Sequence, residues 1–459
     1  MSIAQQITTE PKGRAAPVKV LKTKAETALA EAFAEVERSL PGGDWLRQLR
    51  RAAIGAFSAE GLPHRRVEEW KFTDLRAAMR EAFPLAADTT PPKPAAIEAM
   101  VRDALAGADL AKAFAVIVDG RGVGEAGLSA ISELDGAFLA RLIDHPPAWL
   151  EAEVSEVGGH VTDGVLALNT ALFTDGAVID IADGREIETP IALVFGDAGG
   201  AAQTVVTRNV VRVGKGAKVV LVESHLAPSA PRQINTLTQI VVGDGAEVVH
   251  VKLISSREGS IHLGRTIARL GANASYRPFQ MVIGNGIVRN DLSVTFRGQH
   301  STFDLGGAKL VSETGHADTT LVVDHAVPHC TSRELIKCVL AERGRGVFQG
   351  KVIVRPDAQK TDGKQMAQAL MLSPDAEFDS KPELEIYADD VICGHGSTSA
   401  EIDPELIFYL RSRGIPLAEA QAMLVESFIG EAIDKAEPEE VQEALRALAR
   451  GWLTREAQR

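Results

Sequence analysis

A glycine returns through the middle of this chain at a nearly constant interval, and that interval decides most of what the chain can fold into. In VRVGKGAKVVLVE (211–223), IVVGDGAEVVHVK (240–252), ARLGANASYRPF (268–279) and TFRGQHSTFDLG (295–306), a strand-like run meets a glycine-led turn and a second run follows. The glycines stand at 214, 243, 271 and 298, which gives intervals of 29, 28 and 27 residues. A β unit of that size cannot bury an apolar face alone, so it stacks on its neighbours. The repeat points to a parallel β-helix in which the Val and Ile of one rung pack on those of the next. A β-sandwich with evenly spaced hairpins would give the same intervals and is the alternative.

The repeat sits inside a longer β regime. From about Asp175 to Ala400, Val and Ile rise, Gly recurs, and short alternating runs such as GAVIDIADG (176–184), TPIALVFG (189–196) and KVVLVESH (218–225) read as strands. Before it the chain is rich in Ala, Leu, Glu and Arg. Apolar spacing predicts helices in TALAEAFAEVERSL (27–40), DWLRQLRRAAIGAF (44–57) and TDLRAAMREAF (73–83). TTPPKP (89–94) reads as a linker, AFAVIVDG (113–120) as a strand, and the residues from there to about Ile143 as further helix. After Ala400 the helical pattern returns. Asp403, Pro404 and Glu405 combine an N-cap acceptor, Pro at the first helical position and an acid in the first turn. Gly414 can end that helix, and Leu417–Ile433 and Glu439–Trp452 follow as amphipathic helices. At 459 residues, two or three domains are expected. The division is a basic tail over 1–22, a mostly helical domain over 23–155, a β-helix core over 156–400 and a helical segment over 401–459.

Charge and cysteine content narrow the function. The net charge of −13 argues against a general nucleic-acid binder, which needs a basic footprint. No apolar run approaches the roughly 18 residues of a membrane span. The N-terminus lacks the apolar stretch of a secretory signal. It carries Lys12, Arg14, Lys19, Lys22 and Lys24 against Glu10, and reads as a disordered tail, with an organellar transit peptide as the alternative. Three cysteines, Cys330, Cys338 and Cys393, exclude a disulfide scaffold. With no export signal they point to a reducing, cytoplasmic setting.

No nucleotide loop is present. The nearest approach, Gly346-Val-Phe-Gln-Gly350-Lys351-Val352, is one residue short between its glycines and has Val where Ser or Thr would hold magnesium; it reads as a strand turn. Neither Gly-x-Ser-x-Gly nor His-Glu-x-x-His occurs. Two polar clusters remain. In DHAVPHCTSRELIKC, His325, His329, Cys330 and Cys338 resemble a metal site superficially, but Pro328 prevents a helix from aligning the histidines. Packed or turn residues of the β core account for them better. In EIYADDVICGHGSTSAEID (385–403), Cys393 and His395 stand two apart, which on a strand turns both to one face. Thiolate and imidazole side by side form half a site for a soft or borderline metal. A buried Cys beside a structural His at a last rung fits the same spacing.

At these residues the chain is similar to a known family. The stretch CVLAERGRGVFQGKVIVRPDAQKTDGKQMAQALMLSPDAEFDSKPELEIYADDVICGHGSTSAEIDPELIFYLRSRGI (338–415) resembles the SufB/SufD family of Fe–S cluster assembly proteins. So does GLPHRRVEEWKFTDL (61–75), and the likeness runs from about Gly61 to Ile433. CGHGST is closer to the SufD branch, because the SufB branch has Glu after the His. Ala367 stands where the family often has Asn, and Cys330 and Cys338 match no family ligand.

The resemblance implies a mainly β fold: a right-handed parallel β-helix between an N-terminal helical domain and a C-terminal helical segment. It implies a non-catalytic scaffold of the SufD branch with no nucleotide site, paired with a SufB-like subunit through the β-helix end. A SufC-like ABC ATPase would dock on the C-terminal helices, around Pro404, Glu405, Leu406, Phe408, Tyr409, Arg411 and Gly414. A transient Fe–S cluster or iron would be shared with the SufB-like subunit through His395 and Cys393. Homodimers are expected in isolation. Two other readings stay open. One is a homo-oligomeric structural β-helix. The other is a β-helix carbohydrate-active enzyme, against which the absent signal and only three tyrosines weigh.

Overall fold

The computed structural model describes residues 22–86, 92–104, 113–123, 134–141, 147–159 and 163–457. The basic tail over 1–22, apart from its last residue, and the start of the linker lie outside them. The fold is mainly β. A parallel β-helix of about eight turns runs between N-terminal and C-terminal helices. From Ala177 onward successive strands alternate between two sheets, and each pairs in parallel with the strand one turn later.

Register explains the repeat. Ile181, Val213, Val242, Leu270, Phe296, His325 and Val354 stand opposite one another on consecutive rungs, all buried. Each apolar member contributes on the order of 1.5–3 kcal/mol through burial. The repeat glycines stack at one corner. A methyl group on Gly243 would meet the Gly214 carbonyl carbon at 2.8 Å, and one on Gly298 would meet the Ala272 nitrogen at 2.1 Å. The rungs approach too closely there for any side chain.

Both sheets are covered on their outer faces. The helix Leu417–Ile433 lays Val425, Ile429 and Ile433 on Phe279, Leu310 and Val339 of one sheet. N-terminal helices lay Phe57, Leu168 and Phe173 on Val206, Val210 and Ile261 of the other. Burial on two faces is why many strands read as continuous apolar runs. The EEWKFT stretch is a structural lock. The Arg289 guanidinium stacks 3.9 Å from the Trp70 ring, and Asp318 takes hydrogen bonds from Arg289 (2.7 Å) and the Thr73 hydroxyl (2.5 Å).

Several local expectations hold. Asp403 caps the helix Pro404–Ser412 by accepting from the Glu405 amide, with Pro at its first turn. Gly414 ends it at φ +87°. Others do not. The pattern over 73–83 predicts a helix, yet only Leu75–Ala78 is helical. Beyond Met79 the backbone turns to the solenoid: the Thr204 amide donates to Pro84 O (2.7 Å), the Ala86 amide to Thr204 O (2.9 Å) and the Phe83 amide to Gln233 Oε1 (2.9 Å). Tertiary pairing there outweighs helix propensity. The helix expected up to Ile143 is likewise replaced, among the described residues, by strands Arg121–Gly122 and Ala137–Arg141. The second runs antiparallel to Ala177–Ile181 and covers the free edge of the first rung.

The strand Ala113–Val118 lies parallel to Ile191–Gly196, so the N-terminal region donates a strand to the solenoid. Helix continues past residue 155 through Leu150–Gly159 and Gly164–Leu172. The glycine pair at 346 and 350 is not a turn but the middle of the strand Arg345–Val354. Among the described residues no helix is long and apolar enough to cross a membrane.

Candidate functional site

The two ends of the solenoid differ. Strands Arg121–Gly122 and Ala137–Arg141 close the first end. At the other end the edge strands are Ile392–Glu401 in one sheet and Glu377–Ile386 in the other, and among the described residues no further strand pairs with either. The last rung presents unpaired backbone groups and apolar side chains, with Ile392 65% exposed. An uncovered edge of this kind is a template for another chain.

Cys393 and His395 both lie on that edge strand. Cys393 pairs in register with Gly363, and His395 with Gln365. Alternation places both on the inward face, the face to which Ala367 and Ala369 of the rung below contribute core side chains. Cys393 is half-buried and His395 exposed, because no later rung covers them. Nothing lies within 4 Å of the space a side chain on Gly394 would fill. Burial pushes the Cys393 thiol up, against a lowering by the Gly363 backbone, and the Asp362 and Glu334 carboxylates push it further. A metal ion binding at the sulfur therefore displaces a proton. Among the described residues no three His, Cys, Asp or Glu side chains gather in metal-holding geometry.

His325, His329, Cys330 and Cys338, the other cluster of the sequence, do not gather around one point. His325 stacks on Phe296 at 4.5 Å in the core, and burial pushes it down to about 4. His329 is exposed and stacks on His300 at 4.8 Å. Cys330 and Cys338 are buried; Cys338 pairs in register with Lys309. All three thiols are free.

Sequence reasoning missed Glu334, Gln365 and Ser332, all buried near the last rung. Burial pushes the Glu334 carboxyl up to about 8, against lowering by Ser332 and Arg333. The signal was available in SRELIKC, where Ser332 and Glu334 share the parity of Ile336 and Cys338.

The residues from Pro404 to Gly414 form a separate surface. The helix Pro404–Ser412 buries none of its side chains, and Phe408 is 75% exposed beside Leu406 and Tyr409. Arg413 stacks 3.6 Å from the Tyr409 ring. A nearby groove of about 670 Å³ runs between the last turns and the C-terminal helices, lined by Met371, Leu372, Ile402, Ala418 and Leu453. A larger cleft of about 930 Å³ lies at the opposite end, but its charges are spent on each other: Arg212 binds Asp180, and Asp183 accepts from the Lys215 amide.

Comparison with known proteins decides the family. Residues 195–428 match the SufBD core domain of the SUF system for FeS cluster assembly, and 23–193 match the SufBD N-terminal region. The chain belongs to the SufBD family. It is 32% identical over 375 residues to the iron–sulfur cluster assembly protein SufD of Escherichia coli, covering 81% of this chain and 84% of that one. It is 30% identical over 412 residues to an iron–sulfur cluster assembly SufBD family protein of Synechocystis, covering 86% of this chain and 89% of that one. A SufD of Bacillus subtilis is 24% identical over 283 residues, or 61% of this chain and 64% of that one. This SufBD protein is thus a SufD-like iron–sulfur cluster assembly protein.

Proposed function

We propose that this chain is the non-catalytic scaffold subunit of a three-component assembly. It pairs through its last rung with a SufB-like subunit, carries a SufC-like ATPase on the helices from Pro404 to Ile433, and offers Cys393 and His395 to a nascent Fe–S cluster or its iron. The cluster is cargo. The observation that carries this reading is the uncovered last rung with a thiol and an imidazole on its inward side. A subunit docking on that edge would extend the ladder and bring the missing ligands to the two that are there. The exposed apolar face of Pro404–Ser412 supports the ATPase contact. In this reading ATPase dimerisation moves the C-terminal helices, the subunit interface opens, and iron and sulfide enter. Binding at Cys393 releases its proton, while His395 binds as neutral imidazole. The three free cysteines suit a reducing, cytoplasmic setting.

Co-expression with SufB-like and SufC-like partners, followed by size-exclusion chromatography, should give a stable 1:2:1 assembly. A chain that forms only homodimers in their presence refutes the scaffold reading. In the reconstituted complex, His395→Ala should lower iron content and cluster yield. Wild-type values in that variant exclude His395 as a ligand.

A further inference from the structure

Beneath Cys393 and His395 the core of the solenoid changes character. In one inward column Phe303 is followed, rung by rung, by Ser332, Gly363 and Cys393. In the next column Leu305 is followed by Glu334, Gln365 and His395. The rung of Phe303 and Leu305 fills both columns with apolar side chains; the three rungs after it fill them with polar ones or leave them empty.

These polar groups have nothing to bind. Ser332 is fully buried, and Glu334 and Gln365 are each 3% exposed. Among the described residues, neither Glu334 oxygen, neither Gln365 amide atom nor the Ser332 hydroxyl has a well-formed hydrogen-bond partner, and Ser332 lowers the Glu334 carboxyl only in part. Among the described residues no cation forms an ion pair with Glu334, and the nearby ones are engaged elsewhere. Arg333 donates to Asp362 (2.5 Å), Lys435 is bound to Asp304, and Lys309 donates to the carbonyls of Ala317 and Val347. Two glycines keep room around the group. A methyl on Gly363 would stand 3.4 Å from Ser332 Oγ and 3.7 Å from Cys393 Sγ, and one on Gly350 would stand 2.5 Å from Gln365 Oε1. Neighbouring strands are about 4.8 Å apart, so side chains of one column on adjacent rungs reach a common ion. Buried polar atoms without partners are rare and need an explanation; here five of them converge at one place.

We propose that Glu334, Gln365 and Ser332 form a cation position inside the mouth of the solenoid, spanning the two rungs below His395 and separate from it. Its donors are a carboxylate, an amide oxygen and a hydroxyl, a hard set suited to a divalent first-row ion with water completing the shell. Identifying that ion as ferrous iron rests on the function proposed above; the site itself does not. Entry is from the open rung. The position would hold an ion in reserve before it meets the ligands at the rim.

The test uses the purified full chain, stripped with chelator and titrated anaerobically with Mn(II), free Mn(II) being read by electron paramagnetic resonance. Wild type should bind one equivalent. Glu334→Gln should weaken that binding at least tenfold, and Gln365→Leu should weaken it too, with thermal unfolding showing both variants folded. His395→Ala should leave it unchanged. No binding by wild type, wild-type affinity in Glu334→Gln, or loss of binding in His395→Ala overturns the proposal. If Mn(II) binding depends on Glu334 while His395→Ala leaves cluster yield intact, the rim ligand fails and the inner site stands.

Discussion

Replacing Glu334 with Gln should stabilise the apo-protein above neutral pH and change little below pH 5. The carboxyl is buried without a partner, and burial pushes its pKa from 4.5 up to about 8. The folded state therefore binds a proton that the unfolded state has released. Stability is fully present below pH 4.5 and falls as pH rises through that interval, because the unfolded state binds fewer protons. At 1.36 kcal/mol per pH unit, the loss sums to about 5 kcal/mol by pH 8, an upper limit, and to about 3 kcal/mol at pH 7. Gln keeps the shape and has no charge to desolvate. Urea unfolding of both proteins at pH 5, 7 and 8.5, in chelator, should give a gap near zero at pH 5 that widens to several kcal/mol in favour of the variant. A gap that is flat across pH, or favours wild type at high pH, refutes the account of Glu334 as an uncompensated buried acid. Saturating Mn(II) should close the gap, because the ion stabilises wild type alone.

On the acid side, burial pushes His316 and His325 down to about 4, so both fold neutral. Stability carried by neutral histidine is lost as pH falls from 6.5 towards 4; the thermal midpoint should drop across that window, and His325→Phe should flatten the drop. Gly298→Ala forces a methyl to within 2.1 Å of the Ala272 backbone and should cost about 3 kcal/mol or more in urea unfolding, whereas Gly394→Ala meets nothing within 4 Å and should stay within about 0.5 kcal/mol of wild type. Phe408→Ala removes a side chain that is 75% exposed, so it should leave the unfolding midpoint unchanged while reducing co-purification of the ATPase.

Legibility followed how local each cause was. The corner glycines were visible because stacking forces the same residue to the same place in every rung, and Gly214, Gly243, Gly271 and Gly298 carry that constraint in plain spacing. The cap at Asp403 and the stop at Gly414 were visible because both act within one turn of the helix they bound. Residues 79–86 misled because their fate depends on Thr204 and Gln233, far along the chain. The strand Ala137–Arg141 was missed for the same reason, since its partner is the free edge of Ala177–Ile181. Cys393 and His395 stood out from a two-residue spacing. What leaves them uncovered, the absence of a further rung, is a property of the whole solenoid.

The polar columns under that rung carry the argument one step further. A solenoid that ended in solvent would be expected to close its core with apolar packing or a helical cap, as the first end is closed by strands. Here Phe303 and Leu305 give way to Ser332 and Glu334, then to Gly363 and Gln365, before the chain reaches Cys393 and His395. Each exchange gives up burial energy and leaves polar atoms without partners, so the series is costly for an isolated fold. It becomes economical once an ion and a second subunit supply what the last three rungs lack. On the proposed function, the open edge, the Cys393–His395 pair and the unsatisfied columns have one physical cause: this end of the molecule is completed by a second subunit and an ion.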